Sequence, residues 1–198
     1  MLPDYDLSLE DQVRECFGRV VYTHKTHERM ADRFFATLNW YKTAQIALTA
    51  LTSAGAIGVL FTSETWIEFA TVIVSFFTLF VSTYLKNFDP GAASQKHRNT
   101  AAKLWNVREC YFSLLTDLPH LSRDVASERR DELQAELAAL YIGAPRTDGK
   151  AYTEAQDRLK NIEDMTFTDD EIDTFLPNSL KRTGGRPKPG SQDIQGPT

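Results

Sequence analysis

Two uncharged runs constrain this chain more than any other feature. Residues 43–63 contain no Asp, Glu, Lys or Arg over 21 positions. Residues 66–85, WIEFATVIVSFFTLFVSTYL, form a second run of 20 positions whose one charge is Glu68. At about 1.5 Å per residue the first run would rise roughly 31 Å, which matches a bilayer hydrocarbon core of roughly 30 Å. Trp40, Tyr41, Trp66 and Tyr84 fall at the ends of the runs, where amphipathic rings favour the membrane–water interface. The pattern predicts a helical hairpin across a membrane, closed by the short turn TSET at residues 62–65. The competing reading is a hairpin buried in a soluble all-α protein, because the first run is rich in Thr, Ser, Ala and Gly and only moderately apolar.

Charge is segregated around the hairpin. All 22 Lys and Arg lie outside it, six before and sixteen after. Arg33 and Lys42 precede the first run, Lys86, Lys96 and Arg98 follow the second, and the turn has neither Lys nor Arg. By the positive-inside rule both termini belong in the cytoplasm, with only the turn outside.

Each run carries an ordered polar pattern. Glu68, Thr71, Ser75, Thr78 and Ser82 recur at three- and four-residue spacing, within an arc of roughly 80° at 100° per residue. Trp66, Ile73, Phe77, Phe80 and Tyr84 occupy the opposite face, which suits lipid. In the first run Gln45, Thr49, Thr52, Ala56 and Val59 share one side, with Ser53 at its margin. Ala47, Ala50, Ala54 and Gly58 share the other, and such small residues let helix backbones approach closely. The expectation is that Gln45, Thr49, Thr52 and Ser53 line a water-filled axis, with Glu68 at its mouth. Thr71, Ser75, Thr78 and Ser82 then pack against the first run, while Ala47, Ala50, Ala54 and Gly58 pack on a neighbouring helix. Two helices cannot enclose a channel, so a pore requires a homo-oligomer in membrane lipid.

Outside the hairpin the chain reads as all-α. Residues 1–42 predict one long helix, capped at Ser8 with Asp11, in which Val13, Phe17, Val20 or Val21, His24, Phe34, Leu38 and Tyr41 recur at helical spacing. A break at Pro90 and Gly91 opens the cytoplasmic helices of residues 86–143, with Leu104, Val107, Tyr111, Leu114, Leu118 and Leu121 in register. Leu133, Leu137 and Leu140 or Tyr141 mark a further helix that ends near Gly143. Residues 144–182 predict another helical segment, with a capping box at Thr168 and Glu171, and residues 183–198 a disordered tail.

Chemistry is sparse. His24, His27 and Glu28 give an H-x-x-H-E spacing, but zincin-type sites need ligands four apart plus a third, so solvated histidines on a charged face are expected. His97 and His120 stand alone, and Cys16 and Cys110 belong to no C-x-x-C pair, which points to reduced thiols. No phosphate loop or nucleophile triad is visible, so neither an enzyme nor a cofactor is expected. A net charge of −5 with no basic arm argues against nucleic acid as a partner.

The helix after the second run, in NFDPGAASQKHRNTAAKLWNVRECYFSLLTDL, carries Lys96, His97, Ala101, Leu104, Trp105, Arg108, Tyr111 and Leu114. Together with the two central runs and the closing FTDDEIDTFLPNSL, it resembles the SLATT group of bacterial two-transmembrane effectors, over residues 22–180. The resemblance implies a role in defence against phage, in which members form pores that permeabilise the inner membrane. It also implies a trigger, a nucleotide second messenger or a partner protein acting in trans or on the cytoplasmic helices. A membrane-anchored scaffold that recruits a partner and conducts nothing stays open as a second reading.

Overall fold

Leu7–Phe61 is one unbroken helix, α1, of 55 residues. No proline occurs between Pro3 and Pro90, so nothing removes a backbone donor along its length. The predicted long helix and the first apolar run are therefore a single rod. Helix α2, Thr65–Phe88, returns after a short turn, and α3 follows at Pro90–Asp117. A 3₁₀ turn at Leu118–His120 precedes α4, Arg123–Gly143, and α5, Gly149–Asn161. The computed structural model describes residues 7–161, all helix or connecting turn with no strand among them. The chain divides into two units, Met1–Asp157 and Arg158–Thr198. The first holds the helices discussed below; of the second only residues 158–161, the end of α5, are described. The capping box at Thr168 and Glu171 and the expected tail of residues 183–198 lie outside the described residues.

The break between α2 and α3 is built from two adjacent residues. Asp89 adopts φ 28°, in the left-handed region, and its carboxylate accepts the Ala92 amide at 2.9 Å. Pro90 follows in the first turn, where its missing N–H costs no helical bond. The chain thus turns at one residue and starts α3 already capped.

The core away from the hairpin lies between α1, α3 and α4. Leu9, Val13, Cys16 and Val20 of α1 meet Leu104, Val107, Tyr111 and Leu114 of α3, closed by Leu118 and Ala126. Leu133, Leu137 and Leu140 of α4 pack against this cluster on the register expected from their spacing. Each large side chain so buried contributes about 1.5–3 kcal/mol relative to exposure. Helix α5 attaches to α1 through polar contacts: Arg33 pairs with Asp148 at 2.9 Å and Arg29 with Glu154 at 3.4 Å. Tyr22 and Tyr152 bring their rings to 5.9 Å.

The hairpin is differently made. Both of its helices are long and apolar enough to cross a membrane, and 0% of their apolar windows is buried within the chain. A hairpin at the centre of a soluble protein would be mostly buried. The exposed Phe69, Phe76, Phe80, Leu60 and Phe61 instead form an apolar belt around two bare helices.

Candidate functional site

The hairpin seam is polar. The Gln45 amide donates to Ser82 Oγ at 3.0 Å, and Ser82 donates in turn to the Thr78 carbonyl at 2.8 Å. Thr52 and Thr78 place their hydroxyls 3.3 Å apart. These pairings run in opposite directions along the two helices, so α1 and α2 are antiparallel. Leu48, Gly55 and Val59 of α1 and Ile67, Thr71, Val74, Ser75 and Val81 of α2 are half-buried along the same line. Thr52, Thr71 and Thr78 also donate to the carbonyl four residues back, which satisfies them without water. At Gly55 the helices touch: a side chain there would collide with Thr71 Oγ1.

The sequence-predicted residues therefore divide in a new way. Thr71, Thr78 and Ser82 face α1, and Ser75 is half-buried at the edge of the seam. Gln45 and Thr52, expected toward a water-filled axis, are turned to α2 as well. Thr49 and Ser53 remain exposed, their hydroxyls bonded to the carbonyls of Gln45 and Thr49 at 2.8 and 3.0 Å. Glu68 is exposed near the start of α2. Because the helices are antiparallel, a rotation of about 100° per residue carries Thr49 and Ser53 to one side of the seam, and Glu68 and Ser75 to that same side. The hairpin thus has one polar flank. Ala47, Ala50 and Ala54 are exposed away from α2, whereas Gly58 is half-buried toward Ile67.

Aromatic rings close the end of the hairpin nearest α3. Tyr41 and Tyr84 sit at 4.8 Å, Tyr84 stacks on Phe88 at 4.7 Å, and Trp40 meets Tyr41 edge-on at 5.1 Å.

Beneath those rings lies a layer that corrects the expected solvated histidines. His24, His27 and His97 are 3%, 2% and 3% exposed. His27 Nδ1 and His97 Nδ1 approach to 2.9 Å, joining α1 to α3. Such a contact needs one proton between two nitrogens, so at least one ring is neutral. Phe34 stacks on His97 at 5.6 Å, and Ser94 donates to the Ala31 carbonyl at 2.8 Å. Burial, with the neighbouring histidines, pushes His27 down to about 4; burial also lowers His97, against an opposing pull from Asp148. His24 is lowered by burial despite Glu28, its ring 5.5 Å from Trp105, over which the Arg108 guanidinium lies at 4.5 Å. A cleft of about 560 Å³ opens beside this layer, lined by His24, Lys25, Arg98 and Trp105 among others. Among the described residues no group of three His, Cys, Asp or Glu is arranged to hold a metal ion.

The histidine layer was missed because Lys25, Thr26, Glu28 and Arg29 make that stretch look solvated. A signal existed nonetheless: His24 continues the series Val13, Phe17, Val20, and His97 leads the series Ala101, Leu104, Val107. A polar residue holding the register of a buried face belongs to that face.

Residues 9–171 match the family model described as SMODS and SLOG-associating 2TM effector domain family 4. The match spans both apolar helices and the helices packed beside them. No curated protein and no solved structure matches the chain.

Proposed function

This chain belongs to the SMODS and SLOG-associating 2TM effector domain family 4, and on that premise we propose that it assembles into a pore in the bacterial inner membrane. The two apolar helices and the family's two-membrane-helix character mark the protein as a membrane protein. On our reading both helices span, both termini are cytoplasmic, and copies associate so that their polar flanks surround a common axis. The effector then acts in defence against phage by permeabilising the membrane. Its trigger is a nucleotide second messenger or a partner protein received by the helices on the cytoplasmic side.

The observation that carries this reading is the polar flank. Thr49 and Ser53 of α1 and Glu68 of α2 are exposed within an otherwise apolar belt, and helical geometry puts them on one side of the seam. Gln45 and Thr52, consumed in the seam, fix the angle at which that flank is presented. A flank of hydroxyls gains most where it meets water or another copy, and polar positions inside membrane helices are costly elsewhere.

Purified protein reconstituted into dye-loaded liposomes should release the dye once activated. Thr49→Leu with Ser53→Leu should cut the leakage rate at least tenfold while crosslinked oligomers persist. Full leakage from that variant would remove the flank from the conducting path. Stable insertion with no leakage from wild type under any trigger would leave a non-conducting anchor.

A further inference from the structure

We propose that the His27–His97 contact is a proton-operated latch that clamps α1 to α3 directly beneath the hairpin. The latch is a property of the packed helices; its effect on conduction rests on the pore reading above.

The geometry supplies both the clamp and the switch. One Nδ1–Nδ1 contact of 2.9 Å bridges the two helices, and both rings are almost wholly shielded from water. A single proton satisfies that contact. A second proton at the contact turns two N–H donors against each other, and charging both rings places two cations side by side in a buried layer, where like charge repels. The surroundings offer little relief. Phe34 covers His97 on one side, and Ser94 is engaged with the Ala31 carbonyl. The charged groups that reach the pair are His24 on α1 and Asp148 ahead of α5. Asp148 is already bonded to Arg33 and to the Ala151 amide. His24 in turn faces Glu28 and Lys25 of α1 and Arg108 and Glu109 of α3. Asp148 is the carboxylate that pulls His97 upward, and burial outweighs that pull.

Position makes the contact consequential. Helix α1 runs without a break from His27 into the first apolar segment. Helix α3 joins α2 through the single residue Asp89. Separating α1 from α3 at the histidines therefore pulls on both arms of the hairpin at their base, where Tyr41 meets Tyr84.

The direction with pH follows from the packed form preferring neutral rings. Above the ordinary histidine value of about 6.5 the latch is fully closed; its hold is lost as pH falls from there toward 4. For His27 alone, a fall from pH 7 to pH 5 shifts the balance about twentyfold toward the open form. His97 is lowered as well and adds in the same direction. If the pore passes protons inward, the current charges the latch and holds it open.

The test uses the full chain in lipid nanodiscs, with amide hydrogen exchange corrected for intrinsic pH dependence. Protection over residues 24–34 and 94–104 should fall at least tenfold between pH 7 and pH 5, while the core around Tyr111 holds. His27→Asn with His97→Asn, a neutral pair that cannot be charged, should flatten the response. A response that survives in this variant, or that disappears in His24→Asn instead, overturns the proposal. Should the double variant lose protection already at pH 7, side-chain ¹⁵N titration of wild type decides: an ordinary value for both His27 and His97 overturns the latch. Protection that rises with added Zn²⁺ and collapses with chelator would make the pair a metal site and also overturn it. In parallel liposomes, loss of protection without leakage upholds the latch and counts against the pore.

Discussion

Gly55 and Gly58 lie one turn apart on α1, and their surroundings assign them different work. A Cβ on Gly55 would collide with Thr71 Oγ1 and stand 3.2 Å from Thr71 Cβ. Thr71 cannot swing away cheaply, because it is β-branched and its hydroxyl is held on the Ile67 carbonyl at 2.8 Å. A Cβ on Gly58 would meet only Ile67 Cγ2 at 3.7 Å, an ordinary contact. Gly55→Ala should therefore push the helices apart, and Gly58→Ala should not. With the native cysteines replaced by serine, disulfide formation between Thr52→Cys and Thr78→Cys reads the separation. We expect Gly55→Ala to slow it severalfold and Gly58→Ala to leave it within twofold; equal rates in both would remove Gly55 from the close approach. The same scale separates small residues that the sequence places on one face. Ala47, Ala50, Ala54 and Gly58 look alike on a helical wheel, but the partner axis runs along Gln45, Leu48, Thr52, Gly55 and Val59.

Among elements, the link between α2 and α3 concentrates the most strain in the fewest atoms. Asp89 has a positive φ, which costs roughly 1–2 kcal/mol for an ordinary L residue, and it also caps α3 through the Ala92 amide. Asp89→Ala keeps the strain and loses the cap, so it should destabilise by about 1–2 kcal/mol. Asp89→Gly loses the side-chain cap but relieves the backbone, so its cost should stay within about 0.5 kcal/mol. Denaturant unfolding of the two variants in the same detergent, followed by helical circular dichroism, checks the order; Gly worse than Ala would mean that the positive φ does not govern the link. The break itself was legible from Pro90 and Gly91, as was α4 from Leu133, Leu137 and Leu140. The hairpin was legible because charge is absent over a length that only a bilayer demands. The histidine layer was not, for a physical reason. Periodicity ranks the faces of one helix, whereas burial of His24 and His27 is decided by what α3 lays against them, Trp105 beside His24 and His97 beside His27. The splitting of Gln45 and Thr52 from Thr49 has the same origin: they share a stripe on α1, and only the position of α2 shows which part of the stripe is seam.

For the whole molecule, orientation in the membrane ties the layers together. Five basic residues flank the hairpin on its open side, Arg33, Lys42, Lys86, Lys96 and Arg98, and residues 62–65 carry none. Translocating the open side would move those charges and the entire α3–α4 bundle across the bilayer, whereas translocating the turn moves only Glu64 and a few small residues. The chain holds its own reporters for a test. Cys110 is exposed on α3 and Cys16 is buried in the core. In intact spheroplasts a bulky maleimide polymer, too large for a pore of helices, should label Ser63→Cys and spare Cys110. Permeabilisation with detergent should then expose Cys110, while Cys16 reacts only after unfolding. Labelling of Cys110 from outside would invert the topology. It would also move the histidine layer to the outer face, where external acid rather than cytoplasmic acid would charge it. Orientation thus decides which compartment the latch can sense, and the same labelling experiment fixes both.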